Sequence, residues 1–266
     1  MVSNTPLDDV EFLASSENRV TVLEALTVEP YTRGELHDLT GVSQPTLGRI
    51  LEDFEDRRWI KKRERRYHLT RLGSLLADEF GVLLDTVETI QMLAELETIL
   101  PLDEMDFDVR MFGDARITAP QPPDIFAHAR RAETLAMEAS HARSLTANFY
   151  PDLLPKTHEL VIEGGQTQEA IVSAAAFDAI ISQPGAAEIA RELLESGKMT
   201  IYRYDGEVPI GFALFDEIAV IFPYDEQMRE YALIETENET IRSWVEAQMD
   251  GYQEQATLIT PAALPE

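Results

Sequence analysis

The chain has 266 residues, 22 Lys and Arg against 49 Asp and Glu, a formal net charge of −27 and no cysteine. Its length fits two modest domains, and a hydrophobic content of 44% is enough to bury a core. The missing thiol excludes disulfide frameworks, thiolate nucleophiles, zinc ribbons and iron–sulfur sites. No apolar run approaches the roughly 18 residues that cross a bilayer, and the N-terminus lacks a secretory pattern, so a cytoplasmic protein away from membranes is expected. Lysine occurs only at positions 61, 62, 156 and 198. A carboxylate-rich, lysine-poor surface stays hydrated in concentrated salt, which points to a halophile's cytoplasm; an acidic protein of ordinary salt is the alternative.

The charge is uneven. The first 80 residues hold 11 basic and 15 acidic side chains, and the remainder 11 and 34. Between Arg57 and Arg71 eight basic residues face Glu64 alone. One positive strip in a chain whose overall field repels polyanions is the footprint of a phosphate-binding surface, unless it pairs with the protein's own acids.

In chain order, Ser16 caps a first helix carrying Val20, Leu23 and Leu26 at helical spacing. Thr32 and Glu35 form a capping box that opens a second helix, which Gly41 ends. Ser43 caps a third helix with Pro45 in its first turn and Leu47, Ile50, Leu51 and Phe54 as its apolar face. Helix, glycine turn, helix is the outline of a helix-turn-helix. The basic strip then reads as a hairpin, Ile60 to Arg63 and Arg66 to Leu69, which makes the motif winged. On a duplex, Arg33, Ser43, Gln44, Thr46 and Arg49 are expected at base edges or phosphates, and Lys62, Arg63, Arg65, Arg66 and Tyr67 along the backbone or minor groove.

Thr70 can cap a long helix in which Leu76, Phe80, Leu83, Val87, Ile90 and Ala94 alternate steps of four and three, a seam running to about Leu96. Such a seam fits a homodimer through residues 73–98; packing on the chain's own second domain is the alternative. Pro101 marks a linker. Beyond it, Val109 to Phe112 and Arg116 to Thr118 read as extended, Phe126 to Leu145 as one helix, Glu159 to Ile162 as a strand and Thr167 to Ile181 as a helix. Ala186 to Leu194 reads as a helix, 199–204, 210–215, 218–222 and 231–234 as strands, and 237–253 as a last helix, with antiparallel turns at Asp205-Gly206 and Asp216-Glu217. The fold class expected is α+β: a winged helix-turn-helix over 1–72, a connecting and dimerisation helix over 73–100 and a mixed α/β domain over 101–266.

No nucleotide or catalytic pattern occurs in the second half, so no enzyme activity, cofactor or metal is expected. Arg116, Arg130, Arg131 and Arg203 are candidates for a carboxylate or phosphate effector, with internal ion pairs as the plainer reading.

The stretch Ser16 to Arg19, the run TRGELHDLTGVSQPTLGRILEDFEDRRWI from Thr32, RYHLTRLG from Arg66 and DFDVRMFGDARIT from Asp106 resemble winged helix-turn-helix regulators of halophilic archaea. RAETLAMEASHARSL from Arg131, EGGQTQEAIVSAAAFDAI from Glu163, YRYDGEVP from Tyr202 and ALIETENETIRSW from Ala232 extend the resemblance, and the second half is similar to the methanogenesis-regulatory-protein middle domain. The resemblance implies a transcription regulator that binds double-stranded DNA and carries a signalling domain of unassigned ligand. A C-terminal protein-interaction module and, further off, a DNA-tethered enzyme are the alternatives.

Overall fold

The computed structural model describes residues 5–94, 96, 99–120, 122–148, 153–225 and 227–265, leaving the side chain of Glu104 aside. Contacts divide the chain into two units, 1–87 and 88–266.

The first unit begins with a helix absent from the sequence reading, α1 (Pro6–Ala14), opened by a capping box on Thr5 and Asp8. After it come α2 (Glu17–Val28), β1 (Tyr31–Thr32), α3 (Arg33–Thr40), α4 (Gln44–Asp56), β2 (Ile60–Arg63), β3 (Arg66–Leu69) and α5 (Arg71–Ala94). Ser16 precedes α2, yet its side chain makes no capping hydrogen bond. β1 pairs with β3 and β3 with β2, giving a small antiparallel sheet. Leu13, Val22, Leu36, Leu47 and Phe54 are fully buried between the helices. Phe12 lies between the guanidinium groups of Arg19 and Arg57, 3.9 and 3.7 Å from its centroid, which ties α1 to α2 and to the end of α4.

α5 starts where Thr70 Oγ1 accepts the Gly73 N–H at 3.0 Å. A Cβ on Gly73 would stand 1.9 Å from the Trp59 carbonyl oxygen, so only glycine lets the helix pass this close to the wing's root. The expected seam divides. Leu76 and Phe80 turn inward to the winged-helix core, whereas Leu83, Val87 and Ile90 are 45%, 41% and 56% exposed. The border between the units falls inside this helix, between Val87 and Glu88, and not at Pro101. The helix is described as far as Ala94; of the stretch expected to reach Leu96 and beyond, positions 95, 97 and 98 lie outside the described residues.

The second unit holds β4 (Arg116–Thr118), α6 (Ala127–Glu138), β5 (His141–Thr146), α7 (Leu153–His158), β6 (Thr167–Ser173), α8 (Ala174–Ile181), α9 (Ala186–Glu195) and β7 (Met199–Tyr204). It continues through β8 (Ile210–Phe215), β9 (Ile218–Pro223), β10 (Leu233–Thr236), α10 (Glu239–Glu254) and β11 (Thr257–Leu258). One sheet runs β11-β7-β6-β5-β8-β9-β10-β4, with β6 parallel to β5 and β7 and every other pairing antiparallel. The fold is therefore α+β. α10 lays Ile241, Trp244, Val245 and Met249 against β8 and β9, where the Trp244 ring meets Phe107 and Phe212 edge-on.

Five expectations for this unit need correction. Val109 to Phe112 is not extended but a tight 3-10 turn capped by Asp108. The helix expected over Phe126 to Leu145 ends at Glu138, and β5 takes over from His141 because it is paired on both sides, by β6 and β8. Likewise the first half of the helix expected over Thr167 to Ile181 is β6, inserted between β5 and β7, and Ser173 caps the remaining helical half by accepting the Ala176 N–H. Glu159 to Ile162 continues α7 as a widened helical turn over Glu159–Glu163. Asp205-Gly206 is a crossover, since β8 lies beside β5 and not β7, whereas Asp216-Glu217 does turn an antiparallel hairpin, Asp216 at φ 50°.

Candidate nucleic-acid interface

The residues between Thr32 and Tyr67 are held by local signals. Thr32 N–H donates to Glu35 Oε2 at 2.7 Å while the Glu35 N–H donates to Thr32 Oγ1, which fixes the start of α3. Gly41 ends α3 in the left-handed region at φ 69°, and His37 Nδ1 lies 2.8 Å from the Val42 carbonyl, locking the turn. Ser43 Oγ accepts the Thr46 N–H at 3.4 Å and lies 2.9 Å from Thr46 Oγ1. α4 then buries Leu47, Ile50, Leu51 and Phe54 and leaves Ser43 and Arg49 exposed and Gln44 and Thr46 half-buried along its outer edge. Arg33 is exposed but engaged along the start of α4. Its guanidinium donates to the Gln44 carbonyl and crosses Gly48, where a Cβ would meet Nη2 at 3.0 Å. Gly48 was not singled out in the sequence; its signal is only that a small residue sits one turn into the helix.

β2 and β3 pair Lys61 with His68, Lys62 with Tyr67 and Arg63 with Arg66. The two residues of the turn, Glu64 and Arg65, stand at φ 48° and 66°. Lys61, Lys62, Arg63 and Arg65 are exposed, and among the described residues none has an ion-pair partner. Lys61 belongs to this set although sequence reasoning left it out; its place in the run of exposed cations that follows the buried Ile60 is the signal that finds it.

Two expected contacts change role. Arg66 is held at the surface by the protein itself, donating to the Pro30 carbonyl at 2.7 Å and to Glu35 Oε1 at 2.8 Å. The Glu35 carboxyl, held first by the Thr32 N–H and then by Arg66, titrates below its ordinary value. Tyr67 is 7% exposed, packed in the core with the Lys62 ammonium 4.9 Å over its ring, so it supports the wing and cannot itself reach a duplex.

The four arginines of the second unit do not converge. Arg203 on β7 pairs with Asp205 and, at 3.8 Å, Asp178, with four strands between it and β10. Arg130 pairs with Asp124. Arg131 forks onto Glu235, Nε to Oε2 at 2.6 Å and Nη2 to Oε1 at 2.8 Å, and these hydrogen bonds raise the arginine's pKa further. Arg116 opposes Glu235 in the β4–β10 register and shares with Arg131 a hollow of about 390 Å³. Among the described residues no helix is long and apolar enough to cross a membrane.

Residues 7–92 match the family described as the HVO_A0261 N-terminal domain, and residues 125–255 match that of the methanogenesis regulatory protein FilR1, middle domain. No curated protein matches the chain. Among solved structures, the archaeal chromatin protein TrmBL2 is 14% identical, covering 96% of this chain and 100% of its own at a TM-score of 0.44. The transcription regulator MepR of Staphylococcus aureus is 20% identical, covering 36% of this chain and 73% of its own at a TM-score of 0.29. The phospholipase D family member Nuc of Salmonella typhimurium is 11% identical, covering 55% of this chain and 99% of its own at a TM-score of 0.39. Likeness at this level assigns no function.

Proposed function

We propose that this chain, which joins a domain of the HVO_A0261 N-terminal family to a domain of the FilR1 middle family, is a cytoplasmic DNA-binding transcription regulator and not an enzyme. The observation that carries the reading is the wing. Four unpaired cations project from a short hairpin in a chain of net charge −27, close in sequence to the polar edge of α4. Gln44 and Arg49 read base edges in the major groove, Ser43 and Thr46 touch phosphate, and Lys61, Lys62, Arg63 and Arg65 lie along the backbone or in the minor groove. Glu52, Glu55 and Asp56 on the second half of α4 favour docking by its N-terminal end, because they must face away from phosphate. Arg33 and Arg66 position this surface and do not contact DNA in this reading.

The chain acts as a homodimer through α5. Leu72, Leu75, Val82, Leu83, Val87 and Ile90 fall within one stripe of that helix, each at least 41% exposed. A second copy is the occupant this stripe fits, because pairing just after the wing would set two recognition helices a fixed distance apart. The second unit senses a small effector; a protein-interaction module is the second reading.

Mapping of bound genomic DNA tests the function. Discrete sites sharing a motif with two-fold symmetry are expected, and uniform or absent enrichment would overturn the assignment. For the dimer, Leu83→Glu with Ile90→Glu should give a folded monomer by sedimentation, since two carboxylates cannot be buried in the stripe without partners. An unchanged mass would remove α5 from the interface.

A further inference from the structure

Of the nine arginines in the second unit, eight end on a carboxylate or a backbone carbonyl. Arg116 alone has no partner among the described residues. It lines the hollow between β4, β10 and the start of α10, which at about 390 Å³ has the size of a small-metabolite site.

The other charges of this hollow are informative. Arg131 and Glu235 are already matched to each other by two hydrogen bonds, with Glu235 only 8% exposed. Asp114 and Glu237 also line the hollow, and neither is ion-paired among the described residues. One free guanidinium and two free carboxylates thus surround the same space without meeting. A phosphate or dicarboxylate would gain Arg116 but lie against Asp114, Glu235 and Glu237, and a bare cation would lie against Arg116. A molecule carrying both charges satisfies all three groups.

We propose that this hollow binds a small zwitterion of the amino-acid type, its carboxylate forked on Arg116, its ammonium on Asp114 and Glu237, and any side chain against Ile218. The proposal deepens the effector reading above and rests on it for its regulatory meaning, though binding itself is independent of DNA.

The test uses the full chain at a salt concentration where circular dichroism shows it folded. Calorimetric titration with each of the free proteinogenic amino acids is compared with acetate and methylammonium, which carry one charge each. At least one amino acid should bind saturably and at least tenfold more tightly than either control. Arg116→Gln and Asp114→Asn should each weaken that binding at least tenfold, while Arg203→Gln, on a strand far across the sheet, should leave it unchanged. Absence of binding by every amino acid, equal binding of acetate or methylammonium, or binding that survives Arg116→Gln would overturn the site. The bound amino acid is then added to a duplex titration: altered DNA affinity supports the effector reading, and unaltered affinity overturns that reading while the site stands.

Discussion

In the second unit every arginine but Arg116 ends on a partner, some of them close in sequence and some far. Arg110 meets Asp108, Arg203 meets Asp205 and Arg229 meets Asp225 within a few residues, whereas Arg131 meets Glu235 and Arg143 meets Asp250 from more than a hundred residues away. On the wing the arrangement is reversed: Lys61, Lys62, Arg63 and Arg65 are flanked by Glu64 alone, are exposed and have no ion-pair partner among the described residues. Exposed pairs of the first kind are screened by solvent and say little about stability. Their lesson is electrostatic. In so acidic a protein, four neighbouring cations left exposed and without an ion-pair partner form a surface able to meet a polyanion.

Three variants, in falling order of effect, would break or sharpen this contrast. Gly73→Ala drives a methyl into the Trp59 carbonyl and should unfold the first unit, abolishing DNA binding while the second unit keeps its own thermal transition; a single transition lowered as a whole would show the two units to be one cooperative body, and an unchanged melt would show that the helix start yields to the methyl without cost. Lys62→Glu with Arg65→Glu should lower affinity for all duplexes alike by about 100-fold, whereas Arg203→Glu in the second unit should leave it unchanged. If both variants lose affinity equally in a gel-shift titration, the wing has no special standing. Gln44→Ala should act on preference more than on total affinity, reducing discrimination between the preferred and a mismatched site by about 1–2 kcal/mol.

A weaker effect concerns His128, 7% exposed at the start of α6, whose Nδ1 has no hydrogen-bond partner among the described residues and whose Nε2 lies 4.0 Å from Glu230. Burial pushes the imidazole pKa below its ordinary 6.5. Between that lowered value and 6.5 the unfolded chain binds the extra proton. The stability contributed by the neutral ring is therefore complete above pH 6.5 and lost as the pH falls through that window. Melting temperatures of His128→Asn should be flatter than those of the parent between pH 7 and pH 5; parallel curves would show that the ring charges without cost.

The sequence was most readable where causes are local. The Thr32–Glu35 box, the Gly41 stop and the Ser43 cap each act within four residues, and the winged helix-turn-helix follows from them. β5 and β6 were hidden because alanine- and glutamate-rich surroundings favour helix, while pairing on both sides makes them strands. The candidate interface divides along the same line. Scarce cations marked the wing, but the partners that engage Arg66, Glu35 and Pro30, are 31 and 36 residues away, and no spacing rule reaches so far.

The wing's turn has a consequence for anyone who would redesign this chain. Two-residue hairpins of this kind are most comfortable on Asn-Gly, because both positions need a left-handed backbone. Here Glu64 and Arg65 occupy them, and left-handed L-residues other than glycine and asparagine are disfavoured by about 1–2 kcal/mol each. An engineer guided by thermostability alone would install Asn-Gly and obtain a tougher hairpin. The same edit would delete the guanidinium at its tip, giving a better-folded protein with a blunted reach.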